Sequence, residues 1–430
     1  MLHDGQSIRV AVVGGLRIPF CRAHSVYRGC SNQDMMTATL TALVNKFDLK
    51  DQTLGDVALG AVIKHSKDWN LARESVIGSG LSMKTPAFDL QRACGTSIEA
   101  CLQIANKISL EQIEAGVAGG VDSISDAPIV FKDGLRKILL DAYGSRSPLG
   151  RIMPWFRLRP AHLLPEFPGV TEPRTGLSMG QSMEITAKEW EVPREHQDQL
   201  ALTSHVKAAK AFDEGFYDDL VIPYKGAEED NNIRRDTTFE KLASLKPVFD
   251  KGPEATMTAG NSTPLTDGAA AVLLTSEAWA KQKNLPIIAY ITFVSVAAVN
   301  FIGVDGLLMA PVFAVSDMLK KANLRLQDFD FYEIHEAFAA QTIATLKAWQ
   351  SEEFCRARLG RNEPLGPIEL AKLNVKGGSL AMGHPFAATG ARVIATMAKL
   401  LHEKGSGRGL VSVCTAGGMG VTAIMEAASS

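Results

Sequence analysis

The stretch Asp89-Leu-Gln-Arg-Ala-Cys94-Gly-Thr-Ser97 places a cysteine at the point where a short strand meets a helix. Residues 86–91 have the composition of a strand, and apolar residues recur at helical spacing over 98–107. The hydroxyls of Thr96 and Ser97 are suited to cap the helix N-terminus. The helix dipole would lower the pKa of the thiol and favour the nucleophilic thiolate. The alternative is a buried and unreactive residue, because free cysteine is among the most buried residue types.

The composition is that of a soluble globular protein. The chain has 430 residues, of which 46% are hydrophobic and 21% charged, and its net charge is −2. This charge provides no general attraction to nucleic acid. The six cysteines form no C-x-x-C pair and show no zinc-ligand spacing, so no metal is expected. We find neither a leader sequence nor an apolar run of about 18 residues, and we expect a cytoplasmic protein with free thiols.

Strands alternate with helices in both halves of the chain, which predicts an α/β layer architecture. A strand, a glycine-rich turn and a helix occur in 91–107 and again in 377–402, which indicates a duplicated α/β domain. We predict an N-terminal domain over 1–280 that contains an insertion over about 128–246, and a C-terminal domain over 281–430. The predicted strands are 8–14, 57–63, 86–91, 115–121, 269–274, 287–294, 330–334, 409–413 and 420–425. The predicted helices are 33–46, 71–80, 98–107, 179–190, 196–214, 311–322, 337–350 and 387–402, and 351–370 is expected to be irregular.

The early part of the insertion, 131–159, is locally basic and carries leucine, tryptophan and phenylalanine between its lysines and arginines. This pattern is compatible with a solvated helical face. It is equally compatible with a patch that contacts a membrane surface or a partner protein.

Two histidines lie on turns of the second half. His335 and Glu336 follow a strand, at the kind of edge where α/β sheets place their sites. His384 lies in a glycine-rich turn over 377–390, and histidine is the usual base that activates a cysteine. Each histidine taken alone could equally be a structural residue or a solvated turn residue.

A second cysteine, Cys414, ends a strand and is followed by the glycine-rich stretch 415–420. The backbone N–H groups of such a stretch can stabilise a developing oxyanion. The alternative is a buried strand cysteine beside a β-bulge. The coincidence of two cysteines and two histidines on turns at strand ends favours a catalytic site.

In these motifs the chain resembles the thiolase family over nearly its whole length. The Cys94 turn resembles the nucleophile loop, and 377–392 resembles the thiolase histidine motif. Residues 414–420 resemble the second-cysteine motif, and 258–270 resemble the loop that touches coenzyme A. The resemblance implies the thiolase fold, in which duplicated α/β domains form a layered α-β-α-β-α core with a large insertion domain.

The resemblance implies a degradative thiolase, which cleaves 3-ketoacyl-CoA with CoA to acetyl-CoA and a shortened acyl-CoA in the last step of fatty acid β-oxidation. Cys94 would be the nucleophile that carries the acyl group, His384 the base, and Cys414 the proton donor to the departing carbon. His335 would replace the usual asparagine-held water. Backbone N–H groups of Cys94 and Ala416 would form an oxyanion hole, although most thiolases have glycine at the latter position.

The same resemblance implies contacts to CoA, which would be a co-substrate in an enzyme without a permanently bound cofactor or metal. Arg234 would lie near the nucleotide end of CoA. Met179, Ala259 and Thr263 would lie along the pantetheine.

The histidine before Glu-Ala-Phe narrows the resemblance, because most thiolases carry asparagine where His335 stands. Together with the insertion after Pro128, it resembles the β subunit of fatty-acid-oxidation trifunctional complexes, including the bacterial anaerobic form. This implies a homodimer or larger assembly. It also implies a heterotetramer with an α subunit that carries hydratase and dehydrogenase activities.

Three alternatives stay open. One is a biosynthetic acetoacetyl-CoA thiolase. Another is a condensing enzyme of the ketoacyl-synthase type, which Cys414 in its glycine context disfavours. The third is a non-catalytic assembly or lipid-binding subunit, which the presence of all four reactive residues disfavours.

Overall fold

The structure is a computed structural model that describes residues 9–169 and 171–428. Within these residues the strands are β1 (Val10–Arg17), β2 (Cys21–Arg22), β3 (Asp56–Leu59), β4 (Ala87–Asp89), β5 (Ala115–Asp122), β6 (Val130–Phe131), β7 (Pro165–Glu166), β8 (Thr266–Ser276), β9 (Ala289–Ala298), β10 (Phe331–Ile334), β11 (Arg408–Thr415) and β12 (Met419–Ala427). The α-helices are α1 (Asn32–Lys46), α2 (Leu71–Gly78), α3 (Thr96–Ser109), α4 (Asp133–Gly144), α5 (Pro148–Ile152), α6 (Met179–Glu189), α7 (Arg194–Asp213), α8 (Phe239–Ala243), α9 (Glu277–Gln282), α10 (Ala310–Ala322), α11 (Ala339–Gln350), α12 (Glu352–Leu359), α13 (Ser379–Met382) and α14 (Thr389–Lys404). Short 3₁₀-helices cover Ser66–Asp68, Met153–Arg157, Pro160–Leu163, Leu326–Asp328, Leu370–Lys372 and Phe386–Ala388.

One ten-stranded mixed sheet runs through both halves of the chain, in the order β10-β11-β12-β9-β1-β8-β5-β3-β4, with β2 paired to β8. The halves join where β1 pairs antiparallel with β9. The topology repeats outward from this seam. From β1, the strands β8 and β5 follow in antiparallel pairing, and β3 then pairs parallel with β5. From β9, the strands β12 and β11 follow in antiparallel pairing, and β10 then pairs parallel with β11. This repetition agrees with the duplication predicted from sequence.

Helices form three layers around the two halves of the sheet. Helices α3 and α14 contact each other and also strands of both halves, so they form the central layer. Helices α1 and α2 pack on the outer side of the first half, and α10 packs on the outer side of the second. The central layer is dense because α14 buries small residues, including Ala391 and Ala398, where it meets the sheet and α3.

All the predicted strands and helices are present, although their ends are shifted. Ile8, the first residue of the first predicted strand, lies outside the described residues. The prediction of an irregular segment over 351–370 is wrong, because α12 occupies Glu352–Leu359. Ser351 caps this helix by accepting a hydrogen bond from the Phe354 N–H at 3.1 Å. The helix buries only Cys355, so it lacks the apolar periodicity on which the prediction depended.

The predicted insertion contains β6, β7 and α4 to α8, including the two helices expected there. A buried ion pair connects its later part to β1, since Arg17 donates to both carboxylate oxygens of Asp230 at 2.5 and 2.7 Å. The domain limits remain predictions. No helix in 9–169 or 171–428 combines the length and apolarity required to cross a membrane.

Candidate active site

The N-termini of α3 and α14 meet in the central layer and bring the two halves of the candidate site together. Ser97 Oγ, in the first turn of α3, accepts a hydrogen bond from the Ala391 N–H of α14 at 2.7 Å. The Cys94 turn also packs on the ends of β11 and β12, because a Cβ on Gly95 would lie 2.8 Å from Val421 Cγ2 and 3.0 Å from Thr415 Cγ2. This packing places the Cys94 turn beside the strand that ends at Cys414.

The backbone directly before Cys94 is strained. Ala93 has a φ of 44°, in the left-handed region, which costs roughly 1–2 kcal/mol for a residue with a side chain. Thr96 holds this turn, because its Oγ1 donates to Ala93 O at 2.7 Å and accepts from Arg92 N–H at 2.9 Å. The prediction of a hydroxyl N-cap is wrong: the N-cap is Gly95, and no side chain caps the helix. The two hydroxyls instead fix the turn and join the two helices.

The prediction of a lowered thiol pKa at Cys94 is also wrong. Burial raises the pKa of Cys94 to about 12, and the Asp122 carboxylate adds to the rise. The backbone N–H groups of Ala416 and Cys94 bond to the sulfur and oppose it. The resting residue is therefore a neutral thiol that needs a base, because desolvation outweighs the dipole of the helix.

His384 is buried and neutral. Burial, with a smaller contribution from the Arg392 charge, lowers its pKa to about 3. Its Nδ1 lies 2.6 Å from Thr389 Oγ1, and this hydroxyl donates to Pro385 O at 3.4 Å. With the Thr389 hydrogen assigned to Pro385 O, Thr389 Oγ1 accepts the Nδ1–H of His384, and Nε2 keeps a free lone pair. That Nε2 is buried and has no hydrogen-bond partner among the described residues.

His335 lies against His384, with the ring centroids 4.1 Å apart. It is fully buried, and burial, His384 and Arg392 together hold its pKa well below the ordinary value. Its Nδ1 lies 2.8 Å from Ser379 Oγ. Its Nε2, like that of His384, is buried without a partner in the described structure. Two unpartnered imidazole nitrogens thus occupy one buried site.

Cys414 is buried at the end of β11. Burial and the neighbouring Cys94 raise the pKa of its thiol well above the ordinary value. The turn after it requires left-handed backbone at Gly417 and Gly418, with φ of 76° and 68°. Ala416 stands at the start of this turn, where its N–H bonds to the Cys94 sulfur.

Glu336 supports the site without facing it. Its buried carboxylate accepts hydrogen bonds from Ser204 Oγ at 2.8 Å, from Asn374 Nδ2 at 2.5 Å and from Leu380 N–H at 3.2 Å. These bonds join α7 to the turn that precedes α13. The carboxylate therefore fixes the backbone next to His335.

The predicted CoA contacts fall in two places. Arg234 and Ala259 line one cavity of about 190 Å³, together with Arg22 and His205. Burial and the Arg234 charge lower the pKa of His205 to about 4, and its Nδ1 accepts the Arg234 N–H at 3.1 Å.

The other two predicted contacts do not line this cavity. Thr263 bonds to Ala337 O at 3.0 Å, beside the cavity-lining Ser262 and Pro264. Met179 packs against the apolar cluster that contains Cys414.

Sequence reasoning missed two carboxylates that hold turns of the candidate site. Asp122 ends β5, and its Oδ2 accepts the Ala387 N–H at 2.7 Å beside the His384 turn. Glu172, in the insertion, accepts the Gly417 N–H at 2.6 Å. No local motif marks either residue, because both act on backbone that is distant in sequence.

The chain belongs to the thiolase family. Residues 10–278 match the family model for the thiolase N-terminal domain, and residues 285–427 match that for the C-terminal domain. Its architecture is accordingly the thiolase fold, and its class is that of the acyltransferases.

Several members of this family with known names or structures are similar to the chain over nearly its whole length. A 3-ketoacyl-CoA thiolase of Yersinia pestis is 40% identical over 427 residues, which cover 98% of this chain and 97% of the relative. A crystal structure of human mitochondrial 3-ketoacyl-CoA thiolase in complex with CoA has a TM-score of 0.81 at 27% identity and covers 98% of each chain. The Bacillus anthracis acetyl-CoA acetyltransferase also has a TM-score of 0.81, at 30% identity, over 98% of this chain and 99% of that one.

Proposed function

We propose that this chain is a degradative 3-ketoacyl-CoA thiolase, which cleaves 3-ketoacyl-CoA with CoA to acetyl-CoA and a shortened acyl-CoA. The observation that carries the proposal is the pair of buried, unpartnered Nε2 atoms of His335 and His384 beside two cysteines. Full-length similarity to 3-ketoacyl-CoA thiolases supports the same substrate class. The reaction would be the last step of fatty acid β-oxidation.

In the first half of the reaction, His384 Nε2 takes the proton of Cys94. The thiolate attacks the ketone carbon, and the N–H groups of Cys94 and Ala416 stabilise the tetrahedral oxyanion. The bond between the ketone carbon and its neighbour then breaks. It leaves an acyl group on Cys94 and the enolate of acetyl-CoA, whose oxygen carries the developing charge.

The enolate is the intermediate of highest free energy, and both histidines stabilise it. His384, now protonated at Nε2, and His335 donate hydrogen bonds to the enolate oxygen. Cys414 gives its proton to the carbon and releases acetyl-CoA. Free CoA then enters and loses its thiol proton to the Cys414 thiolate, or to His384 after His384 has passed its proton to Cys414. The CoA thiolate takes the acyl group from Cys94, and the released Cys94 thiolate regains its proton from His384.

CoA itself is the co-substrate in this proposal, and solved relatives contain it. We propose that its nucleotide end lies near Arg234, in the cavity that this residue lines, with Met179, Ala259 and Thr263 along the pantetheine. The exposed Arg234 supports this placement, because guanidinium groups suit phosphate.

We also propose an assembly, based on the resemblance of the His335 motif to the β subunit of trifunctional complexes. In it the chain forms at least a dimer and joins a hydratase and dehydrogenase α subunit in a heterotetramer. The six cysteines are free thiols, which supports a reducing compartment such as the cytoplasm.

The insertion carries an unusual surface that supports contact with a membrane. We call residues 129–167 the insertion tip. Its exposed apolar side chains are Ile129, Val130, Phe131, Leu140, Tyr143, Leu149, Ile152, Met153, Trp155, Phe156, Leu163, Leu164 and Phe167. Exposed arginines at 136, 146, 151, 157 and 159 lie between them. Apolar side chains among basic ones favour the surface of an anionic bilayer.

The nucleophile assignment is tested by Cys94→Ala, with Cys101→Ala as the matched control on the same helix. Cys101 is buried in the core and touches no proposed substrate position. We expect Cys94→Ala to lose thiolysis of 3-ketoacyl-CoA and all acyl transfer to the enzyme, because no other nucleophile is proposed to carry the acyl group. Cys101→Ala should keep both activities. Substantial thiolysis by Cys94→Ala would overturn the proposal.

A further inference from the structure

A buried chain of polar groups stands behind His335. Arg392, on α14, donates from Nη2 to Ser379 Oγ at 2.9 Å, and Ser379 Oγ lies 2.8 Å from His335 Nδ1. The Glu333 carboxylate lies 3.7 Å from Arg392 Nη1. All four side chains are buried, and none is more than 2% exposed.

The direction of these hydrogen bonds follows from the donor inventory. Guanidinium has only donors, so Ser379 Oγ must accept from Arg392. Its single hydrogen has one acceptor within reach among the described residues, which is His335 Nδ1. Donation into Nδ1 puts the imidazole proton on Nε2. The opposite tautomer would leave the serine hydrogen buried without an acceptor, which is costly.

His384 has the opposite arrangement. Thr389 Oγ1 gives its hydrogen to Pro385 O and accepts from Nδ1, so the resting Nε2 of His384 carries no proton. The two adjacent rings therefore present a donor and a base side by side. If they exchanged these roles, the Ser379 hydrogen would be left without an acceptor, and Thr389 would lose its bond to Pro385 O.

We propose that Ser379, oriented by Arg392, is a positioning residue that keeps the proton of His335 on Nε2, so that His335 is always ready to donate to the enolate oxygen. This inference rests on the proposed thiolase function and deepens it. It assigns Ser379 to one half of the reaction only. Formation of the enolate depends on the His335 donor, whereas acyl transfer to Cys94 depends on the N–H groups of Cys94 and Ala416.

The experiment compares two reactions of the full-length enzyme. Exchange of the methyl hydrogens of acetyl-CoA in D₂O reports the enolate, and transfer of an acyl group from acyl-CoA to Cys94 reports the other oxyanion hole. We expect Ser379→Ala to slow exchange at least about tenfold, since removal of one oxyanion donor costs ~10²–10³ in rate. Acyl transfer should stay within about twofold, because that reaction does not use the His335 donor.

Two controls separate positioning from general damage. Ser412→Ala removes another buried hydroxyl, one that has no hydrogen-bond partner in the described structure, and should leave both rates unchanged. In a His335→Asn background, Ser379→Ala should have no further effect on exchange, because asparagine has no tautomer to fix.

Ring ¹⁵N spectra of histidine-labelled wild type keep the proposal testable even if Ser379→Ala folds poorly. The signal lost in His335→Asn should show a protonated Nε2 and an unprotonated Nδ1. A protonated Nδ1, an unchanged exchange rate in Ser379→Ala, or equal loss of both reactions would overturn the role of Ser379. A wild type that catalyses neither reaction would instead overturn the proposed function.

Discussion

At the scale of residues, burial keeps the cysteine and histidine side chains of the site neutral. Their hydrogen bonds decide which ring nitrogen of each histidine carries the proton. The pKa of Cys94 is raised to about 12 and that of His384 is lowered to about 3, so the resting pair is a thiol beside a neutral base. Proton transfer between them creates charge only when substrate is present to stabilise it. The same desolvation strengthens every hydrogen bond that reaches the enolate.

The lowered pKa of His205 leads to a prediction about stability. The unfolded residue binds a proton below its ordinary pKa of about 6.5, whereas the folded one stays neutral down to about 4. Between these values the unfolded state binds more protons, so this residue adds stability above pH 6.5 that is lost as pH falls toward 4.

We therefore expect the wild type to lose stability relative to His205→Gln as pH falls from 7 to 4. The relative loss should reach up to about 3 kcal/mol, at about 1.4 kcal/mol per pKa unit. Urea unfolding of both proteins at several pH values measures the difference. A difference that stays constant with pH would contradict the expectation.

At the scale of elements, the site depends on close contact between β5 and the turn that carries His384. A Cβ on Gly120 would lie only 2.1 Å from Ala387 O. That contact is to backbone, so it cannot be relieved by a side-chain rotation. On the same face of β5, two residues further along, Asp122 accepts the Ala387 N–H and fixes the same turn.

Gly120→Ala should therefore displace the His384 turn. We expect kcat of thiolysis to fall by about 10², since a misplacement of about 1 Å can cost that much. Gly144→Ala is the matched control, because a Cβ there has nothing within 4 Å. Steady-state kinetics with thermal melting distinguish a displaced base from an unfolded protein. A Gly120→Ala enzyme with normal kcat would show that the turn tolerates the shift.

At the scale of the whole molecule, the candidate site needs both halves of the duplicated fold. Cys94 comes from the first half, whereas His335, His384 and Cys414 come from the second. The insertion reaches the site through Glu172 and presents its apolar tip on the outside. The proposed substrate chemistry and the proposed membrane contact thus belong to different parts of one chain.

The insertion tip can be tested with vesicles of phosphatidylcholine, prepared with and without phosphatidylglycerol. We expect the protein to co-sediment with the anionic vesicles and less so at high salt. Phe156, 81% exposed, should matter most, and Phe156→Asp should weaken binding about tenfold or more, since a buried phenylalanine contributes ~1.5–3 kcal/mol.

Trp69→Asp is the control for this experiment, because Trp69 is 82% exposed and lies outside the tip. It should bind vesicles as the wild type does. Vesicle binding that does not depend on lipid charge would favour a protein partner for this surface. An equal loss of vesicle binding in Phe156→Asp and Trp69→Asp would do the same.

The sequence by itself determined the alternating strands and helices, the duplication, and the turns that carry Cys94, His335, His384 and Cys414. These follow from local periodicity and from motifs that are contiguous in the chain. Helix α12 escaped prediction because its stabilising signals are caps and charges, which apolar periodicity does not detect.

Only the tertiary structure decided the protonation of the site. The sequence suggested a lowered thiol pKa at Cys94, and burial reversed it. The opposite tautomers of His335 and His384 depend on Ser379 and Thr389, whose hydroxyls acquire direction only from Arg392 and from Pro385 O. Desolvation and hydrogen-bond direction arise from groups that are distant in sequence, so they exist only once the chain has folded.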